Sequence, residues 1–172
     1  MKPANVISTS YGLTEAEITP FYAQRQCSEY AKLGLMGVTV LYSSGDSGVA
    51  GADGTCLPPE GRTLHRMSNR NRCLILLLGP GAGRVFNPTF PGTCPYVTSV
   101  GATMMQQNKT VFDPEEACME MIYSGGGFSN YFAIPNYQKD AVDYYLEHYN
   151  PNYPPNIWNS TGTVCFLMFR RL

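Results

Sequence analysis

Val38-Thr39-Val40-Leu41-Tyr42-Ser43-Ser44-Gly45-Asp46-Ser47-Gly48 is the stretch on which the fold of this 172-residue chain turns. Its first five residues are β-branched, aliphatic or aromatic, the composition of a buried strand bounded by turn residues. The strand halts at a Ser-Ser-Gly turn that carries one carboxylate, Asp46. A buried, unpaired carboxylate is costly or takes up a proton. A carboxylate at the end of a core strand therefore points to a use for it.

Working outward, residues 5–10 (N-V-I-S-T-S) read as a first strand closed by Tyr11-Gly12. A helix is expected to begin at Thr14 or Thr19 and to run to Leu33. Thr14 and Glu17 have capping-box spacing, Pro20 suits a first turn, and Gly34 fits the position just past the end. Phe21, Ala23, Cys27, Tyr30 and Ala31 form its apolar stripe, read as packing against a core. Strand, helix and strand in this order make a βαβ unit with parallel strands and a right-handed crossover. Further strands are expected at 96–103 and 121–124, the latter ending in Gly125-Gly126-Gly127. A helix is expected over 137–149, with Ala141, Val142, Tyr145, Leu146 and Tyr149 on one side. Tyr153-Pro154-Pro155 reads as loop. The class is α/β with a mostly parallel sheet and flanking helices.

The formal net charge of −1 gives no electrostatic footprint for nucleic acid or an anionic membrane surface. The longest aliphatic run, Leu74-Ile75-Leu76-Leu77-Leu78, is too short to cross a bilayer. Six cysteines stand at 27, 56, 73, 94, 118 and 165 without a C-x-x-C pair, which argues against a zinc ribbon or redox dithiol. No metal-ligand cluster is visible. Asn108-Lys109-Thr110 and Asn159-Ser160-Thr161 are glycosylation sequons, whereas proline disqualifies Asn87-Pro88-Thr89. With the cysteines they point to a secreted, oxidised protein. The residues after Met1 lack the apolar core of a signal peptide, and an internal start would reconcile the two.

Gly45-Asp46-Ser47-Gly48 also matches the nucleophile turn of chymotrypsin-like proteases, with Ser47 attacking. There the histidine base precedes the nucleophile, whereas His65 and His148 both follow Ser47. A leading βαβ unit is likewise wrong for an antiparallel double barrel. Gly79-Pro80-Gly81-Ala82-Gly83 follows an aliphatic run like a dinucleotide loop, but Val85-Phe86-Asn87-Pro88 cannot start the required helix. The two histidines read as solvated surface groups. Residues 58–83, first basic and then abruptly aliphatic, and 163–172, apolar and basic, fit their surroundings poorly; a long structureless loop inside a compact domain is uncommon.

Five blocks occur in one order: residues 5–12, the Ser-Ser-Gly-Asp-Ser-Gly turn, Phe86-Asn87-Pro88-Thr89-Phe90-Pro91, Cys94 to Thr103, and Ser124-Gly125-Gly126-Gly127-Phe128-Ser129. That series resembles the sedolisin family of serine-carboxyl peptidases, in particular secreted fungal tripeptidyl-peptidase-like members, over about residues 5–57 and 84–162. The resemblance implies a subtilisin-like α/β domain, here incomplete, and proteolysis of peptide or protein substrates in acid. Family chemistry uses a Ser nucleophile, a Glu base and an Asp that orients it, with a second Asp at the oxyanion hole; Asp46 matches that second Asp. A protonated carboxyl donates a hydrogen bond to a developing oxyanion, whereas a carboxylate repels it. By the same likeness Ser10, Tyr11 and Gly12, and Ser124, Gly125 and Gly126, flank the substrate, their backbone groups pairing with an extended peptide.

The resemblance also implies what this chain does not hold. The Glu–Asp pair would precede Met1, and the nucleophile's Gly-Thr-Ser turn and the calcium ligands would follow Gly162. The expectation is a central piece of a peptidase domain over 1–162, inactive alone, with 58–83 an atypical insert and 163–172 an atypical tail, both of unspliced-intron character. A non-catalytic binding or regulatory protein built on the same fold is the alternative. Cys56 and Cys94, which flank the insert, are the expected disulfide. Calcium is implied for the family, peptide is the expected partner, and neither nucleic acid nor membrane is.

Overall fold

The computed structural model describes residues 4–51, 56, 85–118, 120–149 and 158–164. The expectations for 58–83, for Cys73 and Cys165, for His65 and for the loop at Tyr153 lie outside these residues.

The βαβ unit forms as expected. Strand β1 (Val6–Thr9) leads through a short strand β2 (Leu13–Thr14) and a 3-10 turn (Glu15–Glu17) into helix α1 (Pro20–Leu35), and then into strand β3 (Thr39–Ser43). Both candidate starts are used, for different elements. Glu17 accepts the Thr14 N–H at 2.7 Å and closes the 3-10 turn, while the Thr19 hydroxyl accepts the Tyr22 N–H at 3.2 Å and opens α1. The helix outruns the expected stop by two residues, because Gly34 stays helical. The left-handed residue is Gly37, at φ +80°. Val38 N–H bonds the Leu33 carbonyl and Gly37 N–H the Gly34 carbonyl, each at 3.0 Å, the paired closure of a Schellman motif.

Strand β3 is the centre of a parallel sheet ordered β1, β3 and β5, the last being Thr98–Val100. Ile7 sits opposite Val40, and Tyr42 opposite both Thr9 and Ser99. One face of the sheet is closed by α1, where Ala23, Cys27 and Tyr30 pack against Val38, Val40, Phe90 and Cys94. The run 96–103 is not one strand. After β5 the chain turns at Gly101-Ala102, and β6 (Thr103–Met104) pairs antiparallel with β7 (Glu116–Ala117). Strand β4 (Thr89–Phe90) pairs antiparallel with β2. Residues 121–124 form no strand; Tyr123 makes an isolated parallel bridge to Ser47.

A second, smaller cluster joins strand β8 (Phe128–Ala133), helix α2 (Asn136–His148) and strand β9 (Gly162–Val164) around Phe128, Val142 and Val164. Thr163 and Val164, read as the start of an unrelated tail, are buried and belong to β9, antiparallel to β8. Alternation of apolar residues is too short there to have been seen from the sequence.

The expected Cys56–Cys94 bridge is corrected. Cys94 is joined to Cys27, with Cα atoms 5.6 Å apart, and Cys56 takes part in a different disulfide. Cys27 lies on the buried stripe of α1 and faces the loop after β4, so helix packing brings the two sulfurs together. Flanking an insert in sequence does not bring Cys56 to Cys94. Cys118 is a free, buried thiol.

Candidate functional site

The carboxyl ends of parallel strands are where an open α/β sheet exposes loops and unpaired backbone groups. All three segments singled out in the sequence lie at those ends. Residues 10–12 leave β1 and the Asp46 turn leaves β3, while Ser124 meets the chain leaving β5: its hydroxyl accepts the Ala102 N–H at 2.7 Å.

The Asp46 turn and the Tyr123–Gly126 segment are joined through their main chains. Tyr123 N–H donates to the Asp46 carbonyl, and Gly48 N–H to the Tyr123 carbonyl, both at 2.9 Å. Gly125 N–H donates to the Gly45 carbonyl at 2.9 Å and Gly126 N–H to the Gly48 carbonyl at 3.1 Å. Ser44 adds a side chain to this ladder, its Oγ accepting the Gly125 N–H at 3.0 Å. The fit at Gly125 leaves no room for a side chain, since a Cβ there would run into the carbonyl of Ser44.

The third segment joins through Thr89. A Cβ on Gly12 would meet the Thr89 methyl at 2.6 Å and the Phe90 carbonyl at 3.0 Å; one on Gly45 would meet the Thr89 hydroxyl at 2.8 Å. Glycine at 12 and 45 thus lets both turns close onto β4. Ser10, Tyr11, Gly12, Asp46, Ser124, Gly125 and Gly126 are thereby gathered at one end of the sheet.

Burial separates these residues. Gly125 is buried, Gly12, Ser124 and Gly126 are half-buried, and Ser10, Tyr11 and Asp46 are exposed. The expectation that Asp46 is buried at the end of a core strand is therefore corrected. Its main chain is held by Tyr123 while the residue stays exposed, so the turn and not the core determines its surroundings.

Among the described residues the fully buried carboxylate is Glu15, which the sequence did not single out. It accepts hydrogen bonds from the Ser129 hydroxyl, from the Asn130 N–H at 2.7 Å and from the Asn130 amide at 3.3 Å. The Tyr131 hydroxyl donates to its main-chain carbonyl at 2.6 Å. Burial pushes the Glu15 carboxyl above the usual range, and the donors from Ser129 and Asn130 only partly pull it back. Nothing in local sequence marks this residue, because Ser129 and Asn130, which hold its carboxyl group, stand more than a hundred positions away.

No group of three or more metal-binding side chains lies together among the described residues. A hollow of about 530 Å³ lies elsewhere, between β3, the loop of Cys94 to Val97 and the start of α2; none of the expected catalytic or substrate-lining residues borders it. Among the described residues no helix is long and apolar enough to cross a membrane. His148 stays on the exposed end of α2, its ring against Tyr144.

A parallel sheet whose strand ends carry this turn defines a class that comparison with known proteins makes specific. No family model matches the chain. Aorsin of Aspergillus oryzae is 47% identical over 158 residues, covering 89% of this chain and 22% of that protein. Tripeptidyl-peptidase SED1 of Arthroderma otae is 42% identical over 177 residues, covering 94% of this chain and 24% of that protein. A tripeptidyl-peptidase sed1 of Aspergillus fumigatus is 41% identical over 153 residues. A solved Pseudomonas sedolisin, a serine-carboxyl proteinase, superposes with TM-score 0.57 at 23% identity, over 80% of this chain and 34% of that one, and shares the fold. The chain belongs to the sedolisin family of serine-carboxyl peptidases. It spans about a quarter or less of the length of the curated relatives it matches.

Proposed function

We propose that this chain is the central part of a secreted serine-carboxyl peptidase domain of subtilisin-like architecture, acting on peptides in acid. The observation that carries the reading is the main-chain ladder that holds the Asp46 turn against Tyr123–Gly126 at the carboxyl ends of the strands. It presents a carboxyl group beside two glycine-containing segments whose backbone can pair with an extended peptide. Asp46 is the oxyanion donor in this reading. Ser10, Tyr11 and Gly12 line one side of the substrate and Ser124, Gly125 and Gly126 the other.

Exposure supports membership in a larger body. Parallel sheets are normally covered on both faces, yet Val6 is 55% and Val100 49% exposed. In the proposal, the remainder of the peptidase domain covers them, brings the Glu–Asp pair and the nucleophilic Ser, and surrounds Asp46. The calcium that the family implies would also be held outside this chain. No Gly-Thr-Ser occurs in the 172 residues, and the chain alone is expected to be inert to a serine-directed inhibitor. The same lack favours the second reading, a non-catalytic binding protein on the peptidase fold.

The test is Asp46→Ala and Asp46→Asn in a complete peptidase that carries this segment. Removing one oxyanion donor lowers kcat about 10²–10³-fold. Asn keeps a hydrogen-bond donor at that position, so it should restore part of kcat. Unchanged kcat in Asp46→Ala would sink the assignment, and labelling of the 172-residue chain by the inhibitor would sink the claim that it is inactive alone.

A further inference from the structure

The two sequons have different surroundings in the fold. Asn108 is exposed at a turn tip between β6 and β7, at φ +61°, with the Lys109 N–H returning to the Gln106 carbonyl at 3.1 Å. Such a site leaves the amide nitrogen free to carry a large, hydrated substituent. The same excursion exposes Val111 and Phe112, the latter 95% accessible, and a glycan on this tip shields them from other chains.

Asn159 is engaged at every polar atom. Its Nδ2 donates to the Ser129 carbonyl at 2.8 Å. Its Oδ1 accepts the Thr161 N–H at 3.1 Å and the Thr161 hydroxyl at 2.7 Å. Ser129 is fully buried in β8, and three residues after Asn159 a Cβ on Gly162 would collide with the Ser129 backbone. The amide of Asn159 thus points into the close-packed joint that brings β9 onto β8.

We propose that in the folded, exported protein Asn108 is the glycosylated sequon, and that Asn159 is an unmodified pin between β8 and β9. In the transfer, the Asn108 amide nitrogen bonds the anomeric carbon of a lipid-linked oligosaccharide pyrophosphate. The bond from that carbon to the pyrophosphate oxygen breaks, the lipid pyrophosphate leaves, and one amide proton passes to the transferase and then to water. Transfer precedes folding, so both sequons are open at first. Selection follows, because the Asn159 nitrogen stands 2.8 Å from the Ser129 carbonyl, and a sugar bonded to it crowds the joint through which β9 closes onto β8.

The inference rests on the secretory passage proposed above, and the experiment imposes that passage with a heterologous signal sequence. The full chain is exported from yeast, deglycosylated by peptide N-glycosidase in heavy-oxygen water, and mapped by mass spectrometry. Heavy Asp at position 108 and unmodified Asn at 159 are expected. Heavy Asp at 159 in soluble chain, or none at 108, overturns the proposal. If the chain is retained, the protease-resistant fraction from the microsomal lumen is mapped and read in the same way. Asn159→Gln should leave the glycan mass unchanged and lower the yield of soluble chain several-fold, whereas loss of a glycan in that variant refutes the pin. Failure of secretion from the native gene would count against the localisation alone, since here export is supplied.

Discussion

Ser44 Oγ lies 3.0 Å from the main-chain nitrogen of Gly125, across 81 residues of sequence, and both residues are buried. This contact, with the backbone ladder beside it, makes one surface out of the Asp46 turn and the Ser124–Gly126 segment. The glycine is required by packing, because a Cβ at that position would collide with the Ser44 carbonyl.

Ser44→Ala removes one acceptor, but Gly125 N–H keeps the Gly45 carbonyl, so a loss of about 1 kcal/mol is expected. Gly125→Ala drives a methyl into the Ser44 backbone and must part the two segments, at about 3 kcal/mol or more. Urea denaturation measures both, and a Gly125→Ala chain as stable as the parent would contradict the close approach.

The Cys27–Cys94 disulfide joins residues 67 apart. In the chain-entropy model, a loop of that length corresponds to about 4 kcal/mol. Replacing both cysteines with Ser should lower the urea midpoint accordingly. Peptide mapping without reductant should recover the 27–94 pair in a Cys56→Ser chain, and its disappearance there would show that the bridge is misassigned.

Glu15 gives the fold a dependence on pH of defined sign. Its folded-state pKa lies above the unfolded one, chiefly through burial, so the folded chain keeps the proton to higher pH than the unfolded chain. The contribution is present in full below the unfolded value of about 4.5 and is lost as pH rises through the folded value. The slope for one proton is at most about 1.4 kcal/mol per pH unit. Glu15→Gln, which cannot titrate, should flatten the decline between acid and neutral pH. An identical decline in both chains would mean that another group is responsible.

Phe90 and Phe112 have the same side chain and opposite surroundings. Phe90 is 2% exposed, in the core beneath α1 and stacked on Phe132 at 6.2 Å, whereas Phe112 is 95% exposed. Phe90→Ala should cost about 3–5 kcal/mol. Phe112→Ala should fall within about 0.5 kcal/mol of the parent. Comparable losses for the two, read from thermal melts, would invalidate the assigned core.

Much of the βαβ unit was legible because its signals are local. Pro20 and the Thr19 cap mark the start of α1, and the apolar run at 38–42 can only be a buried strand at that length. The glycine segments of the candidate site were legible through resemblance, since a turn shared with relatives keeps its residues adjacent in sequence. The end of α1 was misread by two residues because either of two nearby glycines could close it, and only the direction of the chain into β3 selects Gly37. The strand expected at 121–124 failed for a related reason: Tyr123 pairs with Ser47 alone, and its neighbours turn away to bring Gly125 under Ser44.

The amino-acid order alone determined the class of fold, the parallel pairing of β1 with β3 and the kinship of its turns, since each depends on residues close together along the chain. Tertiary structure decided which cysteine meets Cys94, that Glu15 and not Asp46 is the buried carboxylate, and that Thr163 and Val164 close a strand. Those outcomes depend on which distant surfaces exclude water together: Cys27 reaches Cys94 because α1 buries its stripe on the sheet, and Glu15 is enclosed because β8 lies over it. Packing makes such choices among partners far apart in the chain, where local spacing carries no signal.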